Sequence, residues 1–349
     1  MNSFGRLFRL TIFGESHGPT VGISIDGCPA GLSLEPEDFS MDLERRKGGI
    51  QKGTTPRKED DLPQLQTGVF DGRTTGAPLT ILFSNTNTRP EDYEKLRAVP
   101  RPGHADWVAH YKFGGFEDYR GAGHFSGRLT VALVAAGVVA KKILAAAGAG
   151  PSSRLPGGAT GPIRITARIL EIGGEQDLER GLQKAIDAKD SVGGIIECRV
   201  QELPPGLGEP FFDSAESLLS HLVFAIPAIR GIEFGTGFPA ARMFGSQHND
   251  VIENEQGKTR TNHAGGMVGG ITNGNELVLR IAVKPTSSTP KEQQTWNRDT
   301  GEMGSFMVKG RHDLCIALRV PVILEAVTAI VLADLLMLEQ RIPRVMPME

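Results

Sequence analysis

Two long runs of this chain are apolar nearly all the way round. Residues 128–147 read RLTVALVAAGVVAKKILAAA, interrupted only by Lys141 and Lys142 near the end, and residues 321–340 read PVILEAVTAIVLADLLMLEQ. A helix that is apolar on every side has to be covered on every side, so both are expected in the middle of the molecule. The small residues of the first permit close packing, and Pro321 is placed as a first-turn proline. No apolar run is taken to reach transmembrane length, and the first residues lack the basic segment and apolar core of a signal peptide. A soluble cytoplasmic protein with no membrane partner is the expectation.

The rest of the chain must supply the cover. Apolar residues alternate with polar ones at Phe8 to Phe13, Val21 to Ile25, Leu79 to Phe83, Ile163 to Ile169, Ile195 to Val200 and Leu277 to Val283, which predicts strands. Asp177 to Lys189 and Ser214 to Ala225 read as amphipathic helices, each opened by a capping Asp or Ser. Each long apolar run follows a Gly-rich stretch with Arg and His: Gly121 to Arg128 before the first, Gly310 to Asp313 before the second. That parallel predicts two similar halves, with central helices covered by sheets on their outer faces. No Ser/Gly linker divides residues 1–349, so a single domain is expected. Asn85 to Tyr119 and Pro285 to Met307 read as long loops, which in a compact protein are usually functional or disordered.

Charge narrows the partners. Lys plus Arg number 38 and Asp plus Glu 41, a net charge of -3, so there is no global basic field and nucleic acid is not an expected partner. Any anion site must be local. Cys28, Cys198 and Cys315 are far apart and odd in number, which argues against a disulfide framework or a zinc site, and no metal-ligand spacing is present.

Several loops concentrate groups that hold anions or move protons. Gly14-Glu15-Ser16-His17-Gly18 has the spelling of a hydrolase nucleophile elbow, which needs a strand before it and a helix after it. Here a second strand follows, so the segment is expected to join two strands. Glu44 to Lys58 packs six cations among Gly, Thr and Pro. It suits either a solvated basic turn or a grip on carboxylate and phosphate groups. Arg101-Pro102-Gly103-His104-Ala105-Asp106 places a His in a Pro-Gly loop, where it can titrate near neutrality. Gly121 to Gly127 leads into the first long helix, whose start suits an anion as well as it suits a plain Ser126 cap. Gly265 to Gly270 allows close backbone approach, and Lys284-Pro285-Thr286-Ser287-Ser288 offers a charge and several hydroxyls to a phosphate. Walker and Rossmann spellings are missing. The residues alone point to an enzyme that binds a multiply anionic small molecule, with histidines for proton transfer.

GESHGPTVGISIDGCP at 14–29, GHFSGRLTVALVAAGVV at 123–139 and the block from Arg311 through Glu325 to Leu332, together with RPGHAD, NHAGGMVGGI and KPTSS, closely resemble the chorismate synthase family, in order along the chain. The resemblance implies an α+β fold, a β-α-β sandwich with central helices between antiparallel sheets. It implies a lyase of aromatic amino acid biosynthesis that converts 5-enolpyruvylshikimate 3-phosphate to chorismate by anti-1,4-elimination, needs reduced FMN, and forms a homotetramer. NADPH reduces the flavin either on the chain itself or through a separate flavin reductase. The lack of a fused domain favours the second.

Position by position, the resemblance makes His17 the proton donor to the leaving phosphate. His104 becomes the residue at the flavin N1 side and Asp313 the one managing the N5 proton, while Ser16 and Ser126 position ligands. Arg46, Arg101, Arg128 and Arg311 match arginines of the anionic pocket, with Lys52 where another Arg is common. His124, Phe125, Ser126, Ala228, Gly269, Lys284, Pro285, Thr286, Ser287, Ser288 and Arg311 match segments that cradle FMN. Lys52 lacks the Arg fork, Phe125 stands where a hydroxyl is usual, and Leu314 replaces a Pro.

Overall fold

The computed structural model describes residues 2–49, 52–55, 57, 59–149, 161–308 and 312–347. In the first half the strands are β1 (Ser3–Phe4), β2 (Arg9–Gly14), β3 (Thr20–Asp26), β4 (Gln64–Thr67), β5 (Val69–Phe70), β6 (Arg73–Thr74) and β7 (Leu79–Ser84). The second half carries β8 (Arg164–Ile172), β9 (Gly194–Gln201), β10 (Ile229–Phe234), β11 (Met267–Val268), β12 (Ile271–Thr272), β13 (Leu277–Val283), β14 (Gln293–Asn297) and β15 (Glu302–Phe306). The α-helices are α1 (Ser40–Arg46), α2 (Asp106–Phe113), α3 (Thr130–Ala149), α4 (Leu178–Ala188), α5 (Ala215–Val223), α6 (Gly245–His248) and α7 (Val320–Leu338).

The two apolar runs are α3 and α7, and they pack on each other between two antiparallel sheets. One sheet has the order β1-β2-β3-β7-β4 and lies against α3; the other has the order β10-β13-β9-β8, with β8 and β9 lying against α7. The fold is therefore α+β, with two similar but unequal halves. Alternation sets the strand registers. Val21, Ile23 and Ile25 of β3 and Leu79, Ile81 and Phe83 of β7 are all buried, and they pair Val21 with Phe83 and Ile23 with Ile81. A slip of one residue would turn the whole apolar set outward. Gly137 marks the closest approach of the central helices: a Cβ there would sit 2.2 Å from the Cβ of Ala326.

The two buried carboxylates of α7 are engaged. On α7, Asp334 accepts from the backbone N–H groups of Arg6, Leu7 and Phe8 at 2.7–2.9 Å, tying the N-terminal segment to the helix. Glu325 takes both arms of Arg45 at 2.7 Å, Lys141 at 3.0 Å and the Ala167 N–H at 3.0 Å. Burial works against the ionised form of Glu325, but Arg45 and Lys141 outweigh it and hold its pKa below the usual carboxylate range. The three cysteines are buried free thiols, and burial pushes each up, to about 12 for Cys28 and Cys198 and about 11 for Cys315. Such thiols are inert.

Several expectations need correction. The segments around both central helices, Gly127–Ala146 and Ile316–Leu338, are long and apolar enough to cross a membrane by length and composition, so the expectation that no run reaches that length does not hold. Within the fold, 78% and 94% of the most apolar 18-residue window of each are buried in protein. Asn85 to Tyr119 is not one loop, since it contains a 3-10 helix at Pro90–Arg97 and α2. Pro285 to Met307 contains the β14–β15 hairpin. Strand β10 was not foreseen, because Gly231 interrupts its alternation and a register shift lies between Ile229 and Gly231.

Candidate active site

A cavity of about 680 Å³ opens where α3 and α7 begin. Arg128, Leu129, Thr130 and Leu133 line it from the start of the first helix, and Ile316, Arg319, Val320 and Ile323 from the start of the second. The unpaired backbone N–H groups and positive dipole ends of helix starts favour an anion. Among the described residues, seven Lys or Arg side chains line the cavity against three carboxylates, an excess of positive charge in a mildly acidic chain.

The segment Gly14 to Gly18 joins β2 to β3, so the strand-to-helix elbow is absent. Ser16 is 1% exposed, its Oγ accepts from Arg57 at 3.3 Å, and it lines the cavity. His17 is buried just behind that wall, with its ring edge-on to Tyr93 at 5.0 Å. Gly121 closes over it with φ +57°. A Cβ at Gly121 would lie 2.2 Å from His17 Nδ1 and 2.9 Å from Ser16 Oγ, so only glycine leaves room. Ser16, Tyr93 and Gly121 line the cavity, whereas the His17 ring stands one layer back.

Arg46 and Arg128 flank Asp61, with Arg46 Nη1 3.0 Å from Asp61 Oδ2 and Arg128 Nη1 bonded to Asp61 Oδ1. Arg46 is 2% exposed and also donates to Thr130 Oγ1 and to the carbonyls of Gly127 and Arg128, so it braces the start of α3. Arg128 further donates to Asn85 Oδ1 at 2.9 Å. Two guanidiniums on one carboxylate leave a net positive charge facing the cavity. Arg57 pairs with Glu59 at 2.6 Å. Burial alone would raise the Glu59 pKa, but Arg57 and the N–H and hydroxyl of Thr86 bring it down to about 2.

On the opposite side Arg101 donates from Nε and Nη2 to Asp106, each at 2.8 Å, and from Nη1 to Ser288 Oγ at 3.0 Å. His104 Nδ1 lies 2.7 Å from Asp106 Oδ1 and 3.1 Å from Arg101 Nη2. Burial lowers the His104 pKa, helped by Arg101 and Lys284 and opposed by Asp106. Lys284 Nζ donates to Gly103 O and Ser287 Oγ, which welds the Lys284–Ser288 segment to the His104 loop. Burial, then the nearby Arg230, lowers the Lys284 pKa as well. Ala228 accepts from the Lys284 N–H at 2.9 Å and holds φ +75° on the wall, a strained conformation for a residue with a side chain.

At the α7 side Asp313 accepts from the Thr55 N–H at 2.8 Å and from Arg319 at 3.1 Å, while Arg319 Nε donates to Arg46 O. Ser126 caps the short 3-10 turn before α3 by accepting from the Arg128 N–H at 3.2 Å, and His124 bonds the Gly14 carbonyl through Nδ1 at 2.9 Å. Phe125 is 40% exposed at the mouth.

One cavity thus gathers Ser16, Arg46, Arg101, His104, His124, Phe125, Ser126, Arg128, Ala228, Lys284 to Ser288 and Asp313, with His17 behind it. Two foreseen residues fall elsewhere. Lys52 Nζ meets Gln183 on α4 at 3.1 Å and is exposed. Gly269 is the exposed turn of the β11–β12 hairpin, outside the cavity wall. Arg311 lies outside the described residues. Sequence reasoning missed Arg57, Asp61, Tyr93 and Arg319. Arg57 was hidden in a basic run that reads as solvated, and the other three sit outside any Gly-rich motif. Among the described residues no group of three His, Cys, Asp or Glu side chains is placed to hold a metal ion.

The donor set suits a flavin mononucleotide. Lys284, Ser287 and Thr286 offer a cation and hydroxyls to a phosphate, while Leu133, Ile226, Val320 and Ile323 give an apolar wall for a flat ring. The space held open by Gly121 and by the left-handed backbone at Ala228 would be lost to a larger side chain at the first and requires strain at the second.

Residues 8–337 match the family model described as chorismate synthase. The chain is 66% identical over 345 residues to the chorismate synthase of Chitinophaga pinensis, covering 99% of each, and 43% identical to that of Dehalococcoides mccartyi, again covering 99% of each. A solved structure described as the crystal structure of chorismate synthase superposes with a TM-score of 0.69 at 25% identity, covering 96% of this chain and 93% of that one.

Proposed function

This chain belongs to the chorismate synthase family of lyases, and we propose accordingly that its cavity converts 5-enolpyruvylshikimate 3-phosphate to chorismate and inorganic phosphate with reduced FMN bound alongside. The carrying observation is the excess of cations around one cavity at the start of two buried helices, because the substrate brings a phosphate and two carboxylates. In the reaction the ring C–O bond to phosphate breaks, a hydrogen leaves the ring at the 1,4-position on the opposite face, and a new ring double bond forms. Reduced FMN, when bound, supplies electron density to the departing phosphate bond and receives it back, so no net oxidation occurs.

The chain's own part is to bind, orient and move protons. Arg57, Arg128 and Arg319 offer guanidiniums to the anionic groups, with Glu59 holding Arg57, Asp61 holding Arg128 and the Arg46 carbonyl holding Arg319. The phosphate of the flavin falls to Lys284, Ser287 and Thr286, with Ser126 and Ser16 as hydroxyl donors. His17, behind Ser16 and Tyr93, donates a proton to the leaving phosphate. His104 acts at the flavin N1 side, and Asp313, anchored by Thr55 and Arg319, would manage the proton at flavin N5. The apolar wall keeps water from the two rings. The same reading makes the enzyme a cytoplasmic homotetramer served by a separate flavin reductase. Light scattering tests the first point and anaerobic NADPH titration the second.

Mixing the protein with substrate and photoreduced FMN under argon is the test of activity. Phosphate release that disappears with oxidised FMN supports the proposal. FMN binding without release would leave a flavin-binding protein and end it.

A further inference from the structure

Arg298 does not line the cavity and holds no place among the residues assigned above, yet it closes the loop that carries His104. It stands in the turn between β14 and β15, half-buried, with its guanidinium carbon 5.0 Å from the centre of the Trp107 ring. Three backbone carbonyls converge on it. Its Nη1 donates to Arg97 O at 3.0 Å and its Nη2 to Asp106 O at 3.2 Å, while its own backbone N–H donates to Ala98 O at 2.9 Å. Arg97 and Ala98 end the 3-10 helix that begins at Pro90, and Asp106 opens α2, so one residue spans both ends of the loop between them. A cation suits the first of these ends, because the last carbonyls of a helix lack partners within it and carry partial negative charge.

Within the loop the chain is bound to itself. Asp106 accepts from the Arg101 N–H at 3.0 Å and from Arg101 Nε and Nη2 at 2.8 Å each, and Arg101 Nη2 lies 3.1 Å from His104 Nδ1. Arg101, His104 and Asp106 therefore form one body, and whatever fixes that body in the fold decides where the imidazole stands. Its tip is held by Lys284 Nζ and Ser287 Oγ, which both donate to Gly103 O, at 3.0 Å and 2.7 Å. Those two donors are also the grip proposed for the flavin phosphate, and the single hydroxyl hydrogen of Ser287 cannot serve Gly103 O and a phosphate together. The base of the loop has no such conflict. There Thr295, from the same hairpin as Arg298, adds a bond from Oγ1 to Pro100 O at 2.9 Å.

Resting on the reading of the cavity given above, we propose that Arg298 is a positioning residue for His104, pinning the base of its loop from outside the cavity so that the imidazole keeps its place on the wall when a phosphate draws Ser287 from the tip.

Arg298→Met tests this in the full-length protein, since it keeps the backbone bond to Ala98 O and an unbranched side chain but removes both guanidinium bonds. Two readouts follow His104 itself. The first is a double-mutant cycle with His104→Gln, read as anaerobic phosphate release. Arg298→Met alone is expected to lower turnover about 10–10²-fold, as for a displacement of up to about 1 Å at a reacting group. With His104 already replaced, the further loss should be about twofold or less, because a residue that acts through His104 has nothing left to position. FMN affinity should also stay within about twofold. The Lys284–Ser288 segment has anchors of its own, with the Lys284 N–H on Ala228 O at 2.9 Å and Ser191 Oγ on Thr286 O at 2.7 Å. The second readout is the NMR titration of His104, its ring signal identified by its loss in His104→Gln. Burial, then Arg101 and Lys284, hold the wild-type ring below 6.5 against the pull of Asp106, so a loosened loop that admits water moves the midpoint up toward 6.5.

Equal losses in the two backgrounds, wild-type turnover in Arg298→Met, or a His104 midpoint that stays in place would overturn the proposal. Should Arg298→Met fail to fold, Arg298→Gln, whose amide serves one of the two carbonyls at a time, goes through the same cycle and titration with the same outcomes. Absence of phosphate release by the wild type would overturn the reading of the cavity and leave the titration to judge Arg298, so the two failures are distinguishable.

Discussion

Replacing Gly121 with alanine adds one methyl group at the point where the wall closes over His17. The new Cβ would stand 2.2 Å from Nδ1 and 2.3 Å from Cε1 of His17, and 2.9 Å from Ser16 Oγ, all well inside contact distance. Neither neighbour yields easily: His17 is 8% exposed with Tyr93 against its ring, and Ser16 is 1% exposed. The backbone adds its own cost, because φ +57°, ψ 27° is left-handed and costs a residue with a Cβ about 1–2 kcal/mol. Overpacking a tight site costs about 1–3 kcal/mol more, for a total of about 2–5 kcal/mol. The His17 ring has to move by about 1 Å or more to restore contact distance, and if His17 is the proposed proton donor a displacement of that size costs about 10²-fold in rate. Urea denaturation measures the first effect and anaerobic phosphate release the second. Gly127→Ala is the control for stability, since a Cβ there would meet no atom within 4 Å and its φ is not left-handed; it is expected to be neutral or to stabilise by about 0.4–1 kcal/mol. A Gly121→Ala protein with wild-type stability and turnover would refute the close packing of His17 against this loop.

Gly137→Ala is expected to force α3 and α7 apart, because its Cβ would meet Ala326 Cβ at 2.2 Å and Cα at 2.5 Å; a loss of about 1–3 kcal/mol in thermal or urea unfolding checks this. Asp61→Asn leaves Arg46 and Arg128 buried with their shared carboxylate gone, and unfolding should show a loss of about 3–5 kcal/mol. Stability should fall on the acid side in two stages. The folded His104 pKa lies below 6.5, so the folded state binds fewer protons than the unfolded chain and stability drops as pH falls below about 6.5. Glu59, lowered from 4.5 to about 2, contributes stability that is complete above 4.5 and lost as pH falls toward 2, at most about 3 kcal/mol. Urea midpoints across pH 3–8 should lose the upper stage in His104→Gln and show a shallower lower stage in Glu59→Gln, since Glu325 and Asp106 are also held below the usual carboxylate range and still titrate there.

The sandwich was legible because its two governing signals are local. Apolar residues all round Arg128–Ala147 and Pro321–Gln340 demanded cover, and alternation at Leu79–Phe83 and Leu277–Val283 supplied it; both strands appear within a residue of their expected ends. Asp177 and Ser214 cap α4 and α5 as their positions suggested. Hidden elements lacked such signals. The strand at Ile229–Phe234 is broken by Gly231, and α2 shows little segregation of apolar residues, with Trp107, Val108 and Tyr111 exposed. In the cavity, Gly-rich loops announced His104, Ser126 and Lys284, because flexible backbone beside polar groups is visible in a string. Ion pairing is not. Nothing local shows that Asp61 would stand between Arg46 and Arg128, that Arg319 would turn from α7 toward Asp313, or that Lys52 would leave the basic run for Gln183 while Arg57 turned inward.

If one cationic cavity runs an elimination in which the flavin is needed but not consumed, phosphate release and flavin oxidation must be uncoupled. A single anaerobic time course follows both, recording phosphate and the flavin absorption spectrum together with reduced FMN at a tenth of the substrate concentration. Expected are one phosphate and one chorismate per substrate consumed, many turnovers per flavin, and a spectrum that ends as that of fully reduced FMN. Release that stops after one equivalent of flavin, with the flavin left oxidised, would make FMN a spent reagent and overturn the elimination proposed for this cavity.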